Sequence, residues 1–179
     1  MYKLELTILQ QEIIRLLFIK AGSSLNQRRI AQFLGVSQPA VMKALPGIEK
    51  KNLIKLNQDK ESKRWSVELN RDNRKVMELK RADNLKQIYE SGLTDFLETS
   101  FPGDTIILFG SYSRGEDTIT SDIDVAVIGG KEKNINLTKF EKLLERKIVV
   151  NFYNSMSKIH KNLKENLCNG IVLAGGIEL

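Results

Sequence analysis

Apolar side chains return every three or four positions through the first third of the chain. Leu9, Ile13, Leu16 and Leu17 predict a helix that ends near Ala21-Gly22. Asn26 is placed to cap a second helix that carries Ile30, Ala31 and Leu34 on one face and stops at Gly35. Ser37 then caps a third helix, with Pro39 in its tolerant first turn. This helix buries Val41, Ala44, Leu45 and Ile48 and leaves Gln38, Met42 and Lys43 outside. Pro46-Gly47 is expected to kink or shorten it. The period then changes to two. Leu53–Asn57 and Arg64–Asn70 predict paired strands, the second alternating Trp65, Val67 and Leu69 with Arg64, Ser66 and Glu68. The polar tip between them contains Lys60 and Lys63.

Helix, helix-turn-helix and hairpin in that order resemble the winged helix-turn-helix family, and NQRRIAQFLGVSQPAVMKAL at 26–45 carries most of the likeness. The resemblance implies a third helix that enters the major groove with Ser37, Gln38 and Lys43. Lys60, Lys63 and Arg64 of the wing would lie near phosphates. The charge is consistent with this. Residues 1–80 hold 16 basic and 8 acidic side chains, and residues 81–179 hold 12 and 14. The first half is therefore suited to a polyanion such as DNA, although a merely solvated basic surface, or a winged helix used for protein contacts, has the same look.

Leu85, Ile88, Tyr89, Leu93, Phe96 and Leu97 restore helical spacing and predict one helix or a broken pair over about 73–100, closed by Phe101-Pro102-Gly103. This segment is either a connector or the first core helix of a second domain. Thr105–Phe109 is a continuous apolar run of the kind buried on both faces of a sheet. It ends at Gly110-Ser111. A second strand starts at Asp122, placing Asp122, Asp124, Ala126 and Ile128 on one face and Ile123, Val125 and Val127 on the other. Two carboxylates two residues apart on one face repel each other, and a cation between them relieves the repulsion. Oxygen ligands in a chain with one histidine and one cysteine select Mg²⁺, shared with the phosphates of a substrate. If the two strands are antiparallel, Gly110 lies beside the carboxylates and lets the backbone approach an anion. Ser111 offers a hydroxyl, a short helix starting there would aim N–H groups at phosphate, and Arg114 adds charge.

FGSYSRGEDTITSDIDVAVI, at 109–128, resembles the signature of the DNA-polymerase-beta-type nucleotidyltransferase superfamily, in particular its small minimal members; the likeness covers about 83–179. The resemblance implies that Gly110 and Ser111 bind nucleotide phosphates. It implies that Asp122 and Asp124 hold metal, and that the reaction transfers a nucleoside monophosphate from an NTP to a hydroxyl. Some minimal members are antitoxins that modify a partner toxin, which brings a protein acceptor within what the resemblance implies. One departure stands out. Where active relatives add a third carboxylate on a later strand, Lys147–Tyr153 offers Val149 and the neutral Asn151. Glu116, Asp117 and Glu178 are the acidic residues left to substitute. Tyr112 stands where many minimal members carry an arginine. A transcriptional regulator that senses nucleotide without catalysis is the alternative.

The expected fold is α/β (α+β): a winged helix over 1–72, a helical connector over 73–100 and a mixed sheet flanked by helices over 101–179. Two units fit 179 residues. No apolar run approaches the ~20 residues of a membrane span, and Glu5, Gln10, Gln11 and Glu12 do not suit a signal peptide. A cytoplasmic protein without membrane partners is expected. His160 is expected at the surface of a helix over Ser155–Asn166, and Cys168 as a half-buried packing residue. Ile171–Leu179 is read as an edge strand that invites a homodimer.

Overall fold

The computed structural model describes residues 5–60 and 64–177, so Lys63 and Glu178 lie outside the described residues. The chain divides into two compact units, Met1–Met77 and Glu78–Leu179.

Unit 1 begins with α1 (Ile8–Ile19), closed by a capping box in which the Thr7 hydroxyl accepts from the Gln10 amide and the Gln10 side chain accepts from Thr7 N. A two-residue strand β1 (Leu25–Asn26) leads into α2 (Gln27–Leu34), capped by Asn26 and ended by Gly35 at φ +65°. Then come α3 (Gln38–Glu49), capped by Ser37, β2 (Ile54–Gln58) and β3 (Trp65–Leu69). The sheet is antiparallel with β3 central, in the order β1-β3-β2. This is the winged helix-turn-helix arrangement. Ile13, Leu17, Ile30, Val41, Leu45, Ile48 and Val67 form its core, each contributing about 1.5–3 kcal/mol by leaving water. β1 has too few residues to leave a period. α3 corrects one expectation, because it runs through Pro46 to Glu49 without interruption. The ring lies on the exposed side of its last turn, and Gly47 makes room for the Gln10 amide of α1, which donates to Ala44 O at 3.1 Å.

Unit 2 takes α4 (Arg74–Glu90) from Glu78 onward, then α5 (Leu93–Ser100) after a left-handed Gly92. β4 (Thr105–Phe109) runs into a five-residue helix, α6 (Gly110–Arg114). After it come β5 (Ile123–Ile128), α7 (Thr138–Leu144), β6 (Ile148–Tyr153), α8 (Lys161–Cys168) and β7 (Ile171–Ala174). The mixed sheet has the order β6-β5-β4-β7; β4 is antiparallel to both its neighbours, and β5 is parallel to β6. One face packs Ile106, Leu108, Val125 and Val127 against Ile88, Leu93 and Leu97 of the helices. The other packs Ile107, Phe109, Ala126 and Ile128 against Met156, Ile159 and Leu167.

Several expectations at the C-terminal end change. The helix over Ser155–Asn166 is instead a single 3-10 turn, Met156–Lys158, followed by α8, and His160 sits exposed at the N-cap of α8 rather than within a helix. Ile159 accounts for the break: it turns out of the helix at ψ 135° to reach the core. Cys168 is exposed, not half-buried; its neighbour Leu167 takes the core position. β7 is the shorter strand Ile171–Ala174, and it does lie at an edge.

Candidate functional site

The site in unit 2 is built by the β4–β5 ladder. Phe109 pairs with Asp124, so the turn that leaves β4 lies directly over the carboxylate that enters β5. Gly110 adopts φ +75°, and a Cβ there would collide with an Asp124 carboxylate oxygen and lie 3.2 Å from Cγ. Only glycine satisfies both the backbone angle and the approach. Ser111 is half-buried at the start of α6. The buried Ser113 hydroxyl donates to Gly110 O at 2.9 Å and ties the turn to the helix.

Asp122 is exposed and stands one residue ahead of β5, which begins at Ile123. It is delivered by a turn in which Thr118 N donates to Ser121 Oγ at 2.9 Å and Ser121 N to Thr118 O at 3.0 Å. Asp124 is half-buried. Burial first, and the charge of Asp122 second, hold its carboxyl above the usual range. Negative charge is thus concentrated next to a backbone turn opened by glycine.

The other predicted residues separate. Arg114 does not stand alone at the end of the turn: its Nε donates to Glu116 at 2.8 Å and its NH1 to Asn166 of α8 at 3.2 Å. Parallel pairing sets Val149 beside Asp124 and Asn151 beside Ala126, so the apolar residue takes the nearer place. Asp117 is no substitute ligand; it is buried in an ion pair with Lys80. Glu116 is engaged with Arg114. Among the described residues no three of His, Cys, Asp or Glu gather as a metal-binding group. Tyr112 sends its ring into the core rather than toward the turn, and burial pushes its hydroxyl far above the usual value.

Sequence reasoning missed Tyr153. Burial and the charge of Asp124 both raise its hydroxyl pKa, and its partner in the ladder is Ile128, on the face of Asp124. Following the period of two along Val149, Asn151 and Tyr153 was signal enough to find it.

In unit 1, Gln38 and Arg64 come together in a cleft of about 390 Å³, with Asn26, Gln27, Arg28 and Trp65. Arg28 and Trp65 were missed. Arg28 lies in the polar first turn of α2, where nothing local separates it from a solvated side chain. The alternation of β3 assigned Trp65 to the core, whereas it is 39% exposed. Ser37 Oγ accepts from the Ala40 amide at 3.3 Å as the cap of α3. Lys43 and Lys60 are exposed and outside the cleft.

Against known proteins, residues 90–173 match the family model described as a nucleotidyltransferase domain. No curated protein matches the chain. Among solved structures, the adhesin competence repressor of Streptococcus pyogenes is similar at 21% identity. The alignment covers 54% of this chain and 69% of that one, with a TM-score of 0.39. A ZitR variant from Lactococcus lactis aligns at 22% identity over 56% of this chain and 66% of its own, with a TM-score of 0.42. The MepR–DNA complex from S. aureus aligns at 25% identity over 54% and 82%, with a TM-score of 0.39. Scores in this range mark a loose likeness only. Among the described residues no helix is long and apolar enough to cross a membrane.

Proposed function

We propose that unit 2 is a nucleotidyltransferase that binds Mg²⁺ and an NTP between Gly110-Ser111 and the Asp122–Asp124 pair, and that unit 1 binds DNA. The single observation that carries the reading is the carboxylate pair set against the glycine turn. Two carboxylates without histidine fit Mg²⁺, which keeps several waters and shares its remaining positions with phosphate oxygens. Mg²⁺ held there would neutralise charge on the phosphates and stabilise the attacking and leaving oxygens. Gly110 admits the polyphosphate to the backbone, and Ser111 supplies a hydroxyl to it. α6 has five residues, too few for a useful dipole, so the turn itself must do the binding. An acceptor oxygen, from a protein or another hydroxyl, would bond to the α-phosphorus as the bond to pyrophosphate breaks. With Val149 beside Asp124, β6 brings no third carboxylate to take the acceptor's proton, which would leave to water.

That same register favours a second reading, a regulator that binds nucleotide without turnover. Incubation with Mg²⁺, labelled NTPs and candidate acceptors separates the two. Transfer that disappears in Asp122→Ala and Asp124→Ala supports the enzyme, whereas binding without transfer supports the sensor. Binding of neither Mg²⁺ nor NTP removes both. The DNA arm is supported by the basic excess of the first half and by exposed Gln38, Lys43, Lys60 and Arg64. It predicts affinity that falls steeply with salt, and salt-independent or absent binding overturns it.

A further inference from the structure

The least economical feature of unit 2 takes no part in the chemistry proposed above. Lys80 (0% exposed), Asp117 (1%), Asn84 (5%) and Arg146 (5%) are buried together. Lys80 Nζ pairs with Asp117 Oδ1, and Arg146 NH2 faces Asp117 Oδ2 at 3.5 Å. Buried ion pairs are seldom more stabilising than apolar residues of the same volume, because desolvation offsets the attraction. Arg146 directly follows Glu145, the left-handed C-cap that ends α7 at φ +50°. Stability therefore does not explain why these groups are here.

The hydrogen bonds supply a reason. Asn84 Nδ2 donates to Asp117 Oδ1 at 2.7 Å and to the main-chain carbonyl of Tyr112 at 2.9 Å, while Asn84 Oδ1 lies 3.4 Å from Lys80 Nζ. Tyr112 is the middle residue of α6, and its carbonyl also accepts from Gly115 N at 3.2 Å. Lys80 Nζ stands 5.9 Å from the centre of the Tyr112 ring. A one-turn helix does not hold itself together in water, so the geometry of Gly110-Ser111 must be imposed from outside. The ion network fixes Asn84, and Asn84 fixes the turn.

We infer that Asn84, oriented by Lys80, Asp117 and Arg146, is a positioning residue that pre-sets the Gly110–Arg114 turn for triphosphate. The inference rests on the nucleotide-binding reading above. Its effect is to remove the ordering cost of the turn before ligand arrives, which is where preorganised sites gain affinity.

The test uses the full chain with Mg·ATP titrated by calorimetry and amide exchange read in the absence of ligand. Asn84→Ala is compared with Leu97→Ala, a core truncation in the same unit whose apolar side chain makes no hydrogen bond to the turn. The expected result for Asn84→Ala is at least tenfold weaker Mg·ATP binding and faster exchange at the Gly115 and Glu116 amides. Leu97→Ala, at an equal or greater loss of melting temperature, should change affinity less than threefold. If Asn84→Ala does not fold, Asn84→Ser leaves the ion pairs of Asp117 intact, removes the amide that donates to Tyr112 O and should show the same pattern. Equal behaviour of the two truncations, with wild type binding normally, overturns this inference and leaves the nucleotide site standing. Failure of wild type to bind Mg·ATP removes the site and this inference together.

Discussion

Replacing Asp124 by Asn should make the ligand-free protein more stable, which is unusual for a residue on which function depends. Two residues along an extended chain span about 6.6 Å. Two unit charges at that distance repel by about 0.6 kcal/mol in water and about 2.5 kcal/mol at an effective dielectric of about 20. Asp122 is exposed and Asp124 half-exposed, so solvent screening places the repulsion near the lower end, and relief of desolvation adds to it. The expected gain is about 1 kcal/mol at pH 7, or about 4 °C in Tm for a unit of ~100 residues. The pH dependence has a definite sign. The folded pKa of Asp124 lies above 3.8, so between the two values the native state binds more protons than the unfolded state. Wild-type stability from this site therefore falls as pH rises through that window. The advantage of Asp124→Asn is full above the folded pKa and disappears once both states are protonated. Urea titrations from about pH 3 to about pH 8, followed by amide exchange in β4 and β5, measure it. A variant less stable than wild type at neutral pH, or a difference that does not change with pH, would refute the electrostatic account. Mg·ATP at about 100 times its Kd should reverse the order, stabilising wild type by about 2.7 kcal/mol and the variant far less.

Three further substitutions probe the turn, the third strand and α3. Gly110→Ala forces a side chain into the left-handed region and into Asp124; it should cost about 1–2 kcal/mol of stability and weaken Mg·ATP binding at least tenfold by calorimetry. Val149→Asp sets a third carboxylate beside Asp124 and should tighten Mg²⁺ binding about tenfold while lowering ligand-free stability; unchanged Mg²⁺ affinity counts against the assigned register. Pro46→Ala restores an N–H inside α3 without disturbing packing, and should raise the stability of unit 1 by about 1 kcal/mol in denaturant titrations.

The sequence disclosed most where one period ran long enough to be read. The three helices of unit 1, with Asn26 and Ser37 as caps, were legible because capping residues and apolar spacing agreed. β4 and β5 were legible because a buried run and an alternating run flanked a glycine turn. What was hidden depended on tertiary partners. Nothing local marks Lys80 or Asn84 as buried, since each sits in a charged stretch of α4 and finds its partners 37 and 33 residues away. Asp117 looked like a spare ligand because its neighbours in sequence are polar. The bond from Arg114 to Asn166 had no local sign, because Asn166 lies 52 residues off. Pro46 misled because propensity cannot show that the ring faces outward at the end of the helix.

The chain holds one tryptophan and one cysteine, and the fold distributes them usefully. Trp65 is part of the cleft beside α3 in unit 1, and Cys168 is exposed at the end of α8 in unit 2. Indole emission thus monitors one half alone, while a dye on the thiol monitors the other. Energy transfer between them would read the separation of the two halves in solution without engineering a single residue.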